Sequence, residues 1–276
     1  MNRYSNTPRI RVYLLNWNGG EDIKDCVDSL ESNRYENFSI TIIDNNSSDS
    51  SLHNLSDSID IVPLDKNYGF SVGYNIGIKE SIIDDDEYII LLNYDTIVEP
   101  NFIQSIANEI NNPESDKYIY GVKILYHHNP DIIWYAGGKV RLKEGIILHE
   151  GIRCNSEKYT QSSLTDYVTG CCMIMHKDVF SKLNGFDSRF FMYNEDVDFC
   201  LRADKIGIKC KFLSTPVILH KVSLSIGGNY SIKKILMKLK SGYQLYRKYY
   251  PFYNAAIFVI LYIIKTTFRI GSNKNQ

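Results

Sequence analysis

The six cysteines (Cys26, Cys154, Cys171, Cys172, Cys200 and Cys210) contain no Cys-x-x-Cys pair and no zinc-ligand spacing. That argues against a zinc module or disulfide framework and for reduced thiols in a cytosolic setting. No apolar run approaches the roughly twenty residues that a membrane-spanning helix requires. The run Ala255–Ile264 stops after ten. The opening "MNRYSNTPRIRVYLLNW" carries only a strand-length apolar stretch, so no signal peptide is expected and the chain should stay inside the cell. Glycine fingerprints are missing too: "GFSVG" (69–73) fits neither a dinucleotide loop nor a P-loop, which disfavours a Rossmann dehydrogenase. There is no internal repeat and no low-complexity linker. From Lys221 to the end there is no aspartate or glutamate, but ten lysines and arginines. The net charge of −1 therefore conceals an acidic body and a basic tail.

What is present suits a folded body. The chain has 276 residues, of which 13% are aromatic, 21 of them tyrosines, so disorder is not an overall description. Strand-length apolar runs alternate with amphipathic segments: "IRVYLL" (10–15), a helix with Ile23, Cys26, Val27 and Leu30 on one face, "FSITII" (38–43), "IDIVPL" (59–64) and "YIILLN" (88–93). Alternation of this kind predicts an α/β fold with a mostly parallel sheet covered on both faces. Ligands bind such sheets beyond the carboxyl ends of the strands. The segments found there are Asn16–Gly20, Asp44–Asp49, Asp65–Gly73 and Asn93–Thr96, all polar, acidic or glycine-bearing. Each alone is ordinary turn chemistry; four in succession on one edge read as a cleft.

After residue 118, "YIYGVKILY" and "WYAGGKVRLKEGIILHEG" predict strands and a hairpin. A short helix near 177–183 and a last strand, "KCKFLSTPVILH", ending at His220, follow. The two halves are expected to share one sheet. In the tail, Ile232, Ile235, Leu236, Leu239 and Tyr243 fall at helical spacing among lysines, and Pro251 breaks the pattern. Such a helix suits an anionic membrane surface; it equally suits packing on its own domain or on a dimer partner.

The segment "FMYNEDVDFCLR" (191–202) sets three carboxylates among apolar residues. Asn194 can cap a helix whose acidic first turn complements the dipole, and Asp198 can pair with Arg202 one turn on. Alternatively, carboxylates at the lip of the wall made by Phe190, Phe191, Met192 and Tyr193 suit a general base. Asp95 ends a very apolar strand, where it suits a divalent cation or, again, a helix cap. Asp44 can accept from a ring N–H of a nucleobase or form an Asx turn with Asn46 and Ser47.

In order, "LLNWNG", "IIDNNSSDSS", "KNYGFSVGYNIGI", "LLNYDT", "VTGCCMIMHKDVFSKLNGFDSRFFMYNEDVDFCLR" and "VILH" resemble glycosyltransferase family 2, in its rhamnosyltransferase-like bacterial branch. The resemblance spans roughly residues 9–225. It implies a GT-A fold: a Rossmann-like nucleotide-sugar half (about 1–97) joined to an acceptor and catalytic half (98–225) around one mixed sheet, with a helical tail over 226–276. It implies inverting transfer from a nucleoside-diphosphate sugar, dTDP-rhamnose or a UDP-sugar, to a growing, lipid-linked cell-surface glycan.

By the same resemblance, Asp44 holds the base, and Asn16, Asn46, Asn67, Gly69, Asn75 and Asn93 belong with it to the nucleotide site. Asp95 in "NYD" and His220 bind Mg²⁺ or Mn²⁺. Asp196 is the catalytic base and Glu195 its acidic neighbour. The expected partners are donor and glycan acceptor, with a peripheral membrane contact through 231–270 at the inner face of the plasma membrane, and no nucleic acid. Two rivals share the outline. A nucleotidyltransferase would open with a glycine-rich basic loop, whereas "LLNWNGGED" has no base. A non-catalytic sugar-nucleotide-binding subunit would not be expected to keep Asp95, Asp196 and His220 together.

Overall fold

The run "IRVYLLN" forms β1 (Ile10–Asn16), buried along nearly its whole length, as befits a strand covered on both faces. The computed structural model describes residues 7–53, 55–222, 232–251 and 255–257. Helix α1 (Gly20–Glu31) follows and buries Ile23, Cys26, Val27 and Leu30, the face that the spacing predicts. Next come β2 (Phe38–Asp44), β3 (Asp60–Pro63), α2 (Gly69–Ser81), β4 (Tyr88–Leu92) and β5 (Thr96–Val98). The second half contains α3 (Phe102–Ile110), β6 (Tyr118–Tyr126), β7 (Asn129–Tyr135), β8 (Gly138–Arg141), β9 (Ile146–His149), β10 (Ser163–Thr165) and β11 (Cys172–His176). It closes with α4 (Lys177–Lys182), α5 (Glu195–Lys205), β12 (Lys209–His220) and α6 (Ile232–Tyr249).

Both halves build one ten-stranded sheet in the order β10-β12-β6-β11-β4-β1-β2-β3, with β5 and β7 at its margins; β8 and β9 form a separate hairpin. β1 runs parallel to β2 and β4, β2 to β3, and β6 to β12. β11 breaks the pattern, lying antiparallel to both β4 and β6. Its reversal matters for the site. Cys172 at the start of β11 lies beside Leu92 at the end of β4. The loop entering β11 therefore reaches the same sheet edge as the loops leaving β1, β2, β4 and β12. Side chains alternate across the pleat. Val12 and Leu14 join one core layer with α1 and α3, while Tyr13 joins the other with α2, α4 and α5.

The tail helix differs from its expected orientation. Ile232, Leu236 and Tyr243, part of the stripe read from the sequence, are exposed, whereas Ser241, Leu245 and Tyr246 are buried against the body. Leu245 joins the α5 core layer, so α6 packs on its own chain. Most of the Ala255–Ile264 run lies outside the described residues. No helix among those described is long and apolar enough to cross a membrane.

Candidate active site

Two loops on neighbouring parallel strands are laced together at the sheet edge. Asn16 is fully buried, and its Nδ2 donates toward Asp44 Oδ1 (3.3 Å), Ser47 Oγ (3.0 Å) and Ser51 Oγ (3.0 Å). Its Oδ1 is buried without a hydrogen-bond partner. Asp44 also accepts from the Ser47 hydroxyl at 2.6 Å and from its N–H, the Asx-type turn of the simpler reading. Asn18, in the left-handed region at φ 51°, accepts from Ser48 N–H, and Asp49 accepts from Gly20 N–H.

Asn46 is not the organiser of this region: it is exposed at φ 61°. Its neighbour Asn45 takes that part. Buried Asn45 donates to Asn67 Oδ1 (3.1 Å) and Gly69 O (3.1 Å) and accepts from Tyr68 N–H (2.8 Å). Asn67 Oδ1 in turn accepts from Gly69 N–H. Asn75 is drawn elsewhere. Its amide brackets the main chain of Phe186, donating to the carbonyl and accepting from the N–H, each at 2.8 Å. Two polar ends facing one peptide make a strand-like clamp between α2 and the Phe186 backbone.

At the end of β4, Asn93 N–H donates to Cys171 O (2.9 Å) and is half-buried. Two residues later, Asp95 Oδ1 lies 3.2 Å from His220 Nε2, and both side chains are almost enclosed. Lys221 fixes this corner, donating through its N–H to Asp95 O and through its ammonium to Asp22 and Asp25 on α1. Trp134 packs edge-on to His220, and His220 Nδ1 has no hydrogen-bond partner. His149 also meets Trp134 edge-on, and burial pushes it down to about 4. One carboxylate and one imidazole, nearly buried and converging, suit the few protein ligands of a Mg²⁺ or Mn²⁺ ion whose other positions go to phosphate oxygens and water. No cluster of three or more His, Cys, Asp or Glu with metal-holding geometry occurs among the described residues.

The acids open α5. Asn194 does not cap it through its side chain: at φ 62° it turns away and donates to Ser241 Oγ on α6. Glu195 is buried with Oε2 unpartnered. Burial, then the neighbouring Asp196 charge, push its carboxyl well above the usual range. Asp196 Oδ2 accepts from Gly170 N–H at 3.0 Å and Oδ1 from its own helix at Val197. Burial raises Asp196, and these N–H groups oppose the rise. Asp198 is no surface partner of Arg202. It is fully buried and shared among Arg202, Lys248 and Tyr249. Of the expected aromatic wall, Phe190 is in the core and Phe191 is the half-exposed member, lying over Gly69.

Gly170 joins the two groups. It binds Asp196 through its N–H, and the next residue, Cys171, is tied to Asn93 just before Asp95. A side chain there would meet the Phe70 ring at 2.8 Å. Gly170, Asn45 and Ser51 escaped the sequence reading. The Asn/Ser-rich loop after β2 signalled the last two; Gly170 had no signal beyond its place in "VTGCC".

A parallel first half, joined through one reversed strand to the second half around a single mixed sheet, is the architecture of a GT-A fold. The model described as glycosyl transferase family 2 matches residues 12–183, and the chain belongs to that family. A second model, the N-terminal domain of galactosyltransferase, matches 150–224. Rhamnosyltransferase WbbL of Escherichia coli (strain K12) is 27% identical over 163 residues, 55% of this chain and 61% of that protein. The chain thus spans about three fifths of that relative. The dTDP-rhamnosyl transferase RfbF of Shigella flexneri is 25% identical over 254 residues, 87% of this chain and 82% of that one. Among solved structures, GalNAc-T7 with UDP, GalNAc and Mn²⁺ superposes with a TM-score of 0.69 at 15% identity, over 88% of this chain and 48% of the other.

Proposed function

We propose that this chain is an inverting glycosyltransferase that moves a sugar, rhamnose in the favoured case, from a nucleoside diphosphate to a hydroxyl of a cell-surface glycan precursor. The observation that carries it is the Gly170 turn. It holds Asp196 by one N–H while its neighbour is bound to the strand end that presents Asp95. On this reading a proton acceptor and an anion-neutralising pair are linked through one turn.

In this mechanism the loops after β1, β2 and β3, with Asp44, Asn16 and Asn67, hold the nucleoside. Asp196 takes the proton of the acceptor hydroxyl as its oxygen bonds to the anomeric carbon. The bond from that carbon to the diphosphate breaks on the opposite face, and the nucleoside diphosphate leaves with the electron pair. No covalent enzyme intermediate forms. Bound at Asp95 and His220, Mg²⁺ or Mn²⁺ would supply positive charge opposite the diphosphate. Glu195, whose burial favours its neutral form, orients hydroxyls beside the base.

An anionic membrane is the proposed site of action, at the inner face of the plasma membrane where a lipid-linked acceptor would lie. Exposed Ile232, Leu236 and Tyr243 on α6 stand among basic residues without any acid, a charge pattern complementary to acidic headgroups.

The test is a screen of dTDP-, UDP- and GDP-sugars with Mn²⁺ by thermal shift, followed by NMR of the transferred anomeric centre. A donor at a hundred times its Kd should stabilise by about 2.7 kcal/mol, and the product anomer should be inverted. Retention of configuration, or no stabilisation by any nucleotide sugar, refutes the proposal.

A further inference from the structure

Two consecutive non-glycine residues, Tyr193 (φ 74°) and Asn194 (φ 62°), sit in the left-handed region immediately before the acids of α5. Asn enters this region more readily than most L-residues, whereas a bulky residue such as Tyr193 persists there where surrounding contacts hold it. Contacts of this kind come from α6, which lies outside both matched family regions. Buried Ser241 donates its hydroxyl to Tyr193 O and accepts from Asn194 Nδ2 at 3.0 Å. Lys238 Nζ sits 5.1 Å above the Tyr193 ring. Lys248 Nζ lies 2.6 Å from Asp187 and 2.6 Å from Asp198, and Tyr249 donates to Asp198 at 2.9 Å. The segment Asp187–Asp198 is thereby gripped at both ends and at its turn.

We propose that α6 is a working part of the catalytic site, with Ser241 and Lys248 as positioning residues that set the aim of Glu195 and Asp196. The proposal rests on the glycosyl-transfer reading above for its kinetic consequence, but not for its structural one. Asp198 faces Arg202, Lys248 and Tyr249 and is fully buried, so removing Lys248 leaves the Asp187–Asp198 pair with less positive charge and frees the end of α6. Removing the Ser241 hydroxyl frees the left-handed turn. Neither side chain belongs to the nucleotide-side loops, so donor binding should survive both changes. A displacement of about 1 Å at a reacting group can cost on the order of a hundred-fold in rate.

The experiment compares full-length wild type with Ser241→Ala, Lys248→Met and Lys248→Arg. The readouts are melting temperature, donor affinity by calorimetry, kcat and acceptor KM, and the titration of labelled Asp and Glu carboxyls by carbon NMR. Ser241→Ala and Lys248→Met should keep donor affinity within two-fold, lose roughly ten- to a hundred-fold in kcat, and shift the titration of the carboxyls at 195 and 196. Lys248→Arg should restore most of the rate. Unchanged kcat and unchanged titration in folded Ser241→Ala overturn the proposal, as does a loss confined to donor affinity. If wild type transfers no sugar, the glycosyl-transfer reading fails. The carboxyl titrations then decide the role of α6 alone: a shift in Ser241→Ala supports it and no shift refutes it.

Discussion

Asp95 Oδ1 and His220 Nε2 stand 3.2 Å apart, although one lies in the turn between β4 and β5 and the other ends β12. Antiparallel pairing of β5 with β12, which sets Thr96 opposite His220, brings them together. Asp95→Ala should abolish metal-dependent donor affinity, and His220→Ala should weaken it. Calorimetry with and without Mn²⁺ checks this. Equal donor affinity in the Asp95 variant under both conditions, matching wild type with metal, would remove the pair from the donor site.

Asp196→Asn keeps the shape and can still accept from Gly170 N–H, but it cannot take a proton. Turnover should fall by about 10²–10⁴ with melting temperature and donor affinity near wild type. Because burial raises this group, the rate should climb with pH through a limb above the ordinary carboxylate range. The base works only once deprotonated. A flat profile from pH 4 to 8 would contradict the assignment.

Glu195 gives a stability signature of opposite use. Its folded-state pKa is raised well above the unfolded value by burial and by Asp196, so the folded chain binds the extra proton. Stability from this group is complete below the unfolded pKa and declines as pH rises toward the folded one. Glu195→Gln carries no proton to lose. Denaturant melts should show the variant gaining on wild type as pH rises; a constant difference across that window would show that the carboxyl is not held protonated.

Gly69 has φ 77°, and a Cβ there would fall 2.4 Å from Phe191 O. Phe70 N–H donates to the same carbonyl at 2.7 Å, so the neighbour has no room to give. Gly69→Ala should cost at least about 1–3 kcal/mol from backbone strain, a fall of about 2–4 °C in Tm per kcal/mol for a chain of this size. An unchanged melting curve would mean that the loop before α5 can shift freely.

Leu236 is 60% exposed on α6, so Leu236→Glu should leave folding intact while placing a charge on the proposed membrane face. Sedimentation with phosphatidylserine vesicles should drop, and salt should weaken binding of wild type. Equal sedimentation of both proteins with anionic and neutral vesicles would eliminate α6 as the contact.

The sequence by itself determined the elements and the edge where the site forms. Period-two and period-3.6 patterns in "IRVYLL" and in Ile23–Leu30 report burial directly, and polar loops after parallel strands collect at one end whatever the strand order. Motif order carried the family and, with it, the expected roles of Asp95, Asp196 and His220. Only the tertiary structure decided which way β11 runs, and hence that Gly170 meets Asp196. It alone separated Asn45 from Asn46 and sent Asn75 to Phe186, because adjacent polar residues look alike until the backbone assigns each a side. The tail shows the same limit. Apolar spacing marked a stripe on α6, yet the face that packs inward is held by Ser241, Lys248 and Tyr249, polar groups whose partners lie some fifty residues back along the chain. Periodicity records how apolar a face is; what a buried polar face binds depends on contacts that exist only once the chain has folded.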